Sequence, residues 1–202
     1  KMMYRMLNIT TERLEEKNQF LSEMVTWGEE ARKRAITDEL TGTYNRRYFD
    51  DALHLAITRA KATSAQFSLV MIDMDFFRKI NEVYSHDEVD KILKEVTRIC
   101  LKNLKQKDIF ARYGGDEFVL ILPETTMDQA KSISDRLCSA VENMDLAEIS
   151  AHVSTRVTIS LGIATYPESG LDAETLIRES DRALYEAKKS GKSAVLLLGG
   201  GS

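Results

Sequence analysis

Apolar residues recur along this chain with two different spacings, and their order predicts the order of the structural elements. Four stretches have the spacing of helices with one apolar face: about 45–62, 86–104, 126–144, and the stretch from the N-cap residue Asp172 to near Gly191. Three continuous apolar runs have the length of buried strands: 67–74, 157–164 and 194–198. Together with a hairpin between them, this order contains βαββαβ. It predicts an α/β (α+β) fold with a ferredoxin-like antiparallel sheet and helices on one face.

The hairpin is predicted around the dipeptide Gly114-Gly115, which two strand-like apolar runs flank. Both turn positions can take positive φ without a Cβ clash, which favours a tight two-residue turn. Asp116 and Glu117 follow directly, and alternation along a strand would send them to opposite faces of the sheet. An ordinary hairpin with a solvated acidic tip explains this stretch equally well when it is taken alone.

A second strand also ends in acidic residues. The run 67–72 leads into Asp73, Met74 and Asp75, which places the two carboxylates on one face. If this strand pairs beside the hairpin, Asp73 and Asp116 converge at one end of the sheet. Two neighbouring carboxylates repel each other unless a cation or a proton intervenes. Oxygen ligands without a Cys/His cluster suit Mg²⁺ or Mn²⁺, which points to nucleotide chemistry.

The first segment, about residues 1–36, lacks proline and is rich in Glu, Lys, Arg, Gln and Met, which favours a long helix. Leucines and then small residues recur every seventh position: Leu7, Leu14, Leu21, Gly28 and Ala35. Met24 and Ala31 add part of a second row, so the pattern is a partial coiled-coil seam with weak positions at Thr10 and Lys17 as well as at Gly28. A single amphipathic helix folded back on the following domain is the alternative.

Composition narrows the function classes and the compartment. A net charge of −4 over 202 residues gives no basic footprint for nucleic acid. Cys100 and Cys138 fall on apolar helix faces, as expected for free core thiols in a reducing cytoplasm. The sequence contains no run of transmembrane length and no signal peptide. We expect a coiled-coil helix over 1–36, a globular domain over 37–198 and a flexible tail over 199–202, of the kind added for expression.

Several separated motifs lie between residues 38 and 198, and both their order along the chain and the distances between them are informative. They are Asp38-Glu39-Leu40-Thr41-Gly42 with Asn45-Arg46-Arg47, Asp73-Met74-Asp75-Phe76-Phe77-Arg78-Lys79-Ile80-Asn81, His86 with Asp90, Arg112-Tyr113-Gly114-Gly115-Asp116-Glu117-Phe118, 157–164, and 181–192. This series resembles the GGDEF family of diguanylate cyclases, which condense two GTP molecules into cyclic di-GMP and two pyrophosphates. The resemblance implies a palm-like fold, shared with class III nucleotide cyclases and many polymerases. It also implies a homodimer and, because the chain begins with Lys1 rather than Met, a sensor domain upstream.

The resemblance assigns the metal and catalytic roles. Asp73, Asp116 and the Met74 carbonyl correspond to ligands of two Mg²⁺ or Mn²⁺ ions in each active site. Glu117 either assists deprotonation of the attacking hydroxyl or positions a metal. Arg78 stands at the usual lysine position near the phosphates; it keeps the charge, although the guanidinium geometry differs.

The resemblance also assigns substrate contacts. Asn81 and Asp90 correspond to the residues that read guanine, and His86 to the histidine before that aspartate. Without the resemblance, Asn81 would be a turn residue, and His86 and Asp90 ordinary residues of a solvated helix. The backbone of Gly114 and Gly115 lets a nucleotide lie against the hairpin. Retention of Asp90 favours guanine at both sites over a mixed cyclic GMP-AMP product.

Lys188 and Lys192 match a basic pair that clamps the triphosphate. They lie one helical turn apart near a helix C-terminus, where cations also complement the helix dipole. Both roles are compatible.

Two departures from the family pattern bear on function. Ser85 and Val89 replace two glycines; Ser85 and Glu88 form a candidate capping box, but Val89 could crowd the guanine pocket and weaken GTP binding. A weakly catalytic domain that binds GTP or cyclic di-GMP as a regulatory module is therefore the alternative function. The family's inhibitory Arg-x-x-Asp motif begins here with Lys105 and ends with Asp108, and lysine lacks the bidentate fork of arginine. We expect weak or absent product inhibition.

Overall fold

A computed structural model of the chain describes residues 2–146, 156–191 and 193–197, with side chains from residue 17 onward. The chain divides into two compact units, Lys1–Thr37 and Asp38–Ser202. The first is the helix α1, Met2–Ile36, as predicted. None of the helices in the described ranges has the length and apolar content needed to cross a bilayer.

Helix α1 exposes a wide apolar stripe between residues 17 and 36. Five large apolar side chains there are 53–72% exposed: Phe20, Leu21, Met24, Val25 and Trp27. Leu21 and Met24 belong to the predicted seam, whereas Phe20, Val25 and Trp27 widen it. Leu7, Thr10 and Leu14 lie outside the residues whose side chains are described.

The second unit contains these elements in its described residues: β1 (Tyr44–Asn45), α2 (Arg46–Thr63), β2 (Phe67–Met74), α3 (Phe77–Val83), α4 (His86–Lys102), β3 (Ile109–Arg112), β4 (Glu117–Pro123), α5 (Met127–Glu142), β5 (Ile159–Tyr166), α6 (Ala173–Lys189) and β6 (Val195–Leu197). The sequence predicts all of them except β1 and α3. Capping explains why three of the helices start where they do. Ser85 with Glu88 and Thr126 with Gln129 form capping boxes, and the Asp172 side chain accepts from Thr175 N.

The strands form one sheet in the order β1-β3-β4-β2-β5-β6. β2 pairs antiparallel with β4 and β5, and β3 pairs antiparallel with β4, which is the predicted ferredoxin-like core. The two outer pairings, of β1 with β3 and of β5 with β6, are parallel. The complete sheet is therefore mixed rather than antiparallel, because two short strands that follow or precede helices extend its edges.

Helices cover both faces of the sheet. In β2, Val70, Ile72 and Met74 belong to a core cluster that includes residues of α4 and α5. The alternate residues Leu69 and Met71 belong to a second cluster with α2 and α6. The helices inside the βαββαβ order, α3, α4 and α5, share one face as expected, whereas α2 and α6, which lie outside that order, cover the other. All eight residues of β2 are buried, and a strand without a solvent face needs cover on both sides.

The two cysteines lie in the core, as predicted. Cys100 and Cys138 are buried free thiols. Burial raises the pKa of each to about 12, so both are neutral at physiological pH. They are inert packing residues.

Helix α6 approaches the sheet closely at Gly162 of β5. A Cβ on Gly162 would lie 2.1 Å from Leu184 N and 2.2 Å from Ser180 O. Only a residue without a side chain permits this spacing, so Gly162 fixes how near α6 lies to β5.

Replacing Gly162 with alanine should destabilise the domain strongly, because the new methyl group would meet backbone atoms of α6 that cannot move alone. We expect a loss of at least about 3 kcal/mol in the free energy of unfolding, the upper part of the usual range for overpacking. Urea unfolding measures it. Gly115→Ala is the matched control, since nothing lies within 4 Å of its Cβ position. Equal stability of the two variants would contradict the tight approach of α6.

Candidate active site

Acidic residues from two neighbouring strands meet at one end of the sheet. Asp73 lies in β2 directly opposite Glu117 of β4, and its side chain is largely buried. Met74 N donates a hydrogen bond of 3.3 Å to Asp116 O. The structure thus brings Asp73, Asp116 and Glu117 together.

The Asp73 carboxylate forms an ion pair with Lys188 of α6, with 2.7 Å between Oδ2 and Nζ. Burial raises the pKa of Asp73 above its ordinary value, and the negative charges of Asp116 and Glu117 act in the same direction. The hydrogen bond and the charge of Lys188 offset this effect only in part. Burial is thus the main cost of an ionised Asp73, and a cation bound beside this carboxylate would offset that cost.

The donor set fits a hard divalent cation. Asp73 and Asp116 supply carboxylate oxygens, and Met74 supplies a backbone carbonyl next to them. In the described residues, no three His, Cys, Asp or Glu side chains form a ready-made metal cluster. A site with two protein carboxylates leaves further positions to water and substrate phosphates, which is the usual way in which proteins hold Mg²⁺.

The connection between β3 and β4 differs from the predicted turn. It contains four residues, 113–116, and closes where Tyr113 N and Gly114 N both donate to Glu117 O, at 2.8 and 3.2 Å. Neither Gly114 nor Gly115 has positive φ, so the predicted two-residue turn is wrong. Asp116 belongs to this connection rather than to a strand, so alternation does not determine its direction. The open space beside Gly115 leaves a bare backbone surface next to the carboxylates.

Arg112 holds this connection in place. Its guanidinium donates to Gly115 O from Nη2 at 2.6 Å and from Nε at 3.1 Å, and Nε also contacts Gly114 O at 3.2 Å. Nη1 donates to Asp38 Oδ1 at 3.1 Å. The side chain thereby fixes the two residues that precede Asp116.

Asp38 in turn fixes Arg112. Burial alone would raise the pKa of Asp38, but hydrogen bonds from the Thr41 hydroxyl and amide and from Arg112 outweigh it and lower the pKa. Sequence reasoning assigned no role to Asp38 or Arg112. They belong to the stretches 38–42 and 112–118, yet no spacing rule links two residues that lie 74 positions apart.

The remaining predicted residues lie on the helices that follow β2. Arg78 and Asn81 are on α3, His86 is the first residue of α4, and Asp90 is one turn further on. Asn81 and His86 are exposed, and Asp90 is half-buried. The Arg78 side chain is 94% exposed and pairs with Glu82 at 3.2 Å rather than with the carboxylates. Lys192 lies outside the described residues.

Val89 does not project from the surface of α4. Its side chain is 4% exposed and packs in the core cluster with Ile92 and Leu93. The Val89 side chain therefore points into the core, and its direction does not support the expected crowding of a guanine pocket. Ser85 is equally accounted for by the capping box.

A separate shallow cavity of about 270 Å³ lies beside residues 105–108. Its lining includes Lys105, Lys107 and Asp108. Asp108 Oδ2 already accepts from Lys105 N at 2.7 Å, and Lys107 pairs with Glu124 at 2.7 Å. The Asp108 carboxylate and the Lys107 ammonium therefore already have partners among the residues that line the cavity.

The family model for the diguanylate cyclase GGDEF domain matches residues 35–194. The chain belongs to this family. The response regulator PleD of Caulobacter vibrioides is 36% identical over 162 residues, which cover 80% of this chain and 36% of PleD. The diguanylate cyclase DgcP of Pseudomonas aeruginosa is 33% identical over 164 residues, which cover 81% of this chain and 24% of DgcP. The GGDEF chain described here thus spans about a third or less of these relatives.

Among solved structures, the coiled coil and GGDEF domain of DgcB from Caulobacter crescentus, crystallised with c-di-GMP, matches with a TM-score of 0.83. The match covers 92% of this chain and 97% of the DgcB chain at 24% identity. This likeness shows the GGDEF fold preceded by a helix.

Asp38→Asn should lower the free energy of unfolding at neutral pH by about 1–3 kcal/mol, because the amide loses the ion pair with Arg112. The folded pKa of Asp38 lies below its unfolded value of 3.8, so its stabilisation is complete above that value and is lost as pH falls through the folded pKa. The difference between wild type and D38N should therefore shrink below about pH 4. Urea unfolding between pH 3 and pH 7 measures it.

Asp135→Asn provides the control for this experiment. Its ion pair with Lys131 is about half exposed, so the substitution should change the free energy of unfolding by less than about 0.5 kcal/mol. A D38N protein that behaves like D135N at every pH would show that the Asp38–Arg112 pair does not stabilise the domain.

Proposed function

We propose that this GGDEF domain is a diguanylate cyclase that condenses two GTP molecules into cyclic di-GMP and two pyrophosphates. The observation that carries the proposal is the juxtaposition of Asp73, Asp116 and Glu117 at one sheet end, with Lys188 bound to Asp73. Family membership supports the substrate and product.

Asp73, Asp116 and the Met74 carbonyl are the groups that would hold divalent ions, Mg²⁺ or Mn²⁺. Such ions, when bound, stabilise charge on the attacking and leaving oxygens of phosphoryl transfer. Glu117 is beside Asp73 and either accepts the proton of the ribose 3′-hydroxyl or supports the metal ligands.

Other residues of the chain bind and orient GTP in this proposal. Lys188 can exchange Asp73 for substrate phosphates because its side chain is about one third exposed. The open backbone at Gly115 accommodates the nucleotide, whereas Gly114 leaves room for the Glu117 carboxylate, whose Oε2 would lie 2.9 Å from a Cβ there. The remaining contacts assigned to GTP come from the family resemblance: Arg78, Asn81, His86, Asp90 and Lys192. Of these, Arg78 must leave its pair with Glu82 to reach a phosphate.

One domain holds one GTP, so a cyclic product requires two domains that face each other. Phe20, Leu21, Met24, Val25 and Trp27 form an apolar stripe on α1 that a second copy of the helix would bury. Joining two domains through such a stalk raises the effective concentration of one site at the other. A sensor domain upstream of the stalk would control this geometry.

The proposal is tested by incubating the purified chain with Mg²⁺ and GTP and separating the nucleotides by chromatography. We expect cyclic di-GMP and pyrophosphate, with a rate per chain that rises with protein concentration until the dimer saturates. Asp116→Asn should lower the rate at least about 100-fold, as loss of transition-state charge stabilisation does elsewhere. Asp128→Asn removes an exposed carboxylate of α5 and should leave the rate unchanged.

Other outcomes of the same assay identify the alternatives. GTP binding without cyclic product at any protein concentration would overturn the cyclase and favour the regulatory module. A mixed product on addition of ATP would mean a cyclic GMP-AMP synthase. Unchanged activity in D116N would show that the Asp116 carboxylate is not needed for the reaction.

Product inhibition should be weak or absent, because Lys105 offers no bidentate fork and Asp108 is engaged by the Lys105 amide. Titration of cyclic di-GMP into the turnover assay measures it. Lys105→Arg is the informative variant and should gain inhibition. Micromolar non-competitive inhibition of the wild type that disappears in Asp108→Ala would contradict this prediction.

A further inference from the structure

Asp75 lies two residues beyond Asp73 but has different surroundings. It is 2% exposed, and both of its carboxylate oxygens accept hydrogen bonds. Oδ1 accepts from Ser160 Oγ at 2.8 Å, and Oδ2 accepts from Thr158 Oγ1 at 2.7 Å. Asp75 N also donates to Thr158 O at 2.8 Å. These bonds join the end of β2 to the start of β5.

A third donor comes from the turn between α6 and β6. Ser193 N donates to Asp75 Oδ2 at 3.0 Å. Ser193 has a φ of 48°, which is uncommon for a residue with a side chain and persists where surrounding contacts impose it. The next residue is also tied to the sheet, since Leu161 N donates to Ala194 O at 3.0 Å.

This turn directly follows the helix end that carries Lys188. Helix α6 ends at Lys189, and Lys188 Nζ lies 2.7 Å from Asp73 Oδ2. The two aspartates at the end of β2 therefore hold the same part of the chain at two points. Asp73 contacts a side chain that can move away, whereas Asp75 contacts a backbone amide.

We propose that Asp75 is a positioning residue that fixes the last turn of α6, so that Lys188 stays opposite Asp73 and within reach of substrate phosphates. The inference rests on the proposed GTP site. In this inference Asp75, the second aspartate of Asp-x-Asp, increases the affinity for the nucleotide without contacting it. It does so through the hydrogen bonds that hold the end of α6.

The test measures binding of 3′-deoxy-GTP with Mg²⁺ by the full chain, because this nucleotide lacks the attacking hydroxyl and cannot be converted. Asp75→Ala removes all three accepted bonds and should weaken binding about tenfold. Asp75→Asn should stay within about threefold of wild type, because its carbonyl oxygen can replace Oδ2 while its amide donates to Ser160 Oγ. Thermal unfolding of each variant shows whether the fold is retained.

A matched pair separates positioning from general stability. Ser160 and Ser68 are both fully buried in central strands and both donate a hydrogen bond from Oγ. Ser160→Ala should weaken nucleotide binding about threefold and speed amide exchange at Ser193, since a single hydrogen bond is lost. Ser68→Ala should lower the thermal midpoint and change neither. This pair decides the question if the Asp75→Ala protein fails to fold.

Three results would overturn the proposal: wild-type affinity in Ser160→Ala with unchanged exchange at Ser193, equal weakening by Ser68→Ala, or Asp75→Asn binding as poorly as Asp75→Ala. If the wild-type chain binds 3′-deoxy-GTP but makes no cyclic product from GTP, the proposed cyclase activity is wrong. The binding measurements still test the role of Asp75 in that case. Wild-type chain that does not bind the nucleotide refutes both proposals.

Discussion

Burial of negative charge at the end of a central strand is the constraint on which this site depends. Removing a carboxylate from water costs several kcal/mol unless other groups compensate it. Asp73 and Asp75 are compensated in two ways, by the ammonium of Lys188 and by a set of hydrogen-bond donors. The first arrangement is partly exposed and can exchange partners, whereas the second is closed. One carboxylate at this strand end can thus exchange its partner, whereas the other is held by hydrogen bonds.

The packing of the sheet makes this division possible. Because β2 is buried on both faces, its end is contacted by neighbouring strands, by the β3–β4 connection, by α6 and by the turn that follows α6. Gly162 lets α6 lie close enough for Lys188 to reach Asp73. On the other side, Arg112 holds the carbonyls next to Asp116. Positions on three separate segments therefore set the spacing of the charged groups.

The sequence predicts the elements that have strong local signals. β2 is a continuous apolar run, and α4, α5 and α6 begin at side chains that cap them, so their positions could be predicted. Helix α3 has seven residues, and β1 has two, too few for either periodicity to appear. The conformation at Gly114 and Gly115 depends on Arg112 and on Glu117 O, which local turn rules do not include.

The sequence motifs predict some contacts of the candidate site but not others. The meeting of Asp73 with Asp116 follows from two acidic strand ends, but the pairing of Asp73 with Lys188 joins positions 115 residues apart. Alternation predicts Asp75 on the face of Asp73, and its bond from Ser160, which lies opposite Asp73 on β5, agrees with that. The two carboxylates nevertheless have different partners. Hydrogen bonds to Thr158 and Ser193 depend on tertiary contacts that no local pattern contains.

The departures at Ser85 and Val89 show how folding constrains what a substitution means for function. A glycine-to-valine change in a binding loop would ordinarily indicate a damaged pocket. Here Val89 lies on the core face of α4, where its side chain adds apolar contact, and Ser85 caps the same helix. Both residues strengthen the helix that carries His86 and Asp90. A firmer helix holds candidate base-reading groups in a narrower range of positions, so these substitutions are compatible with selective nucleotide binding.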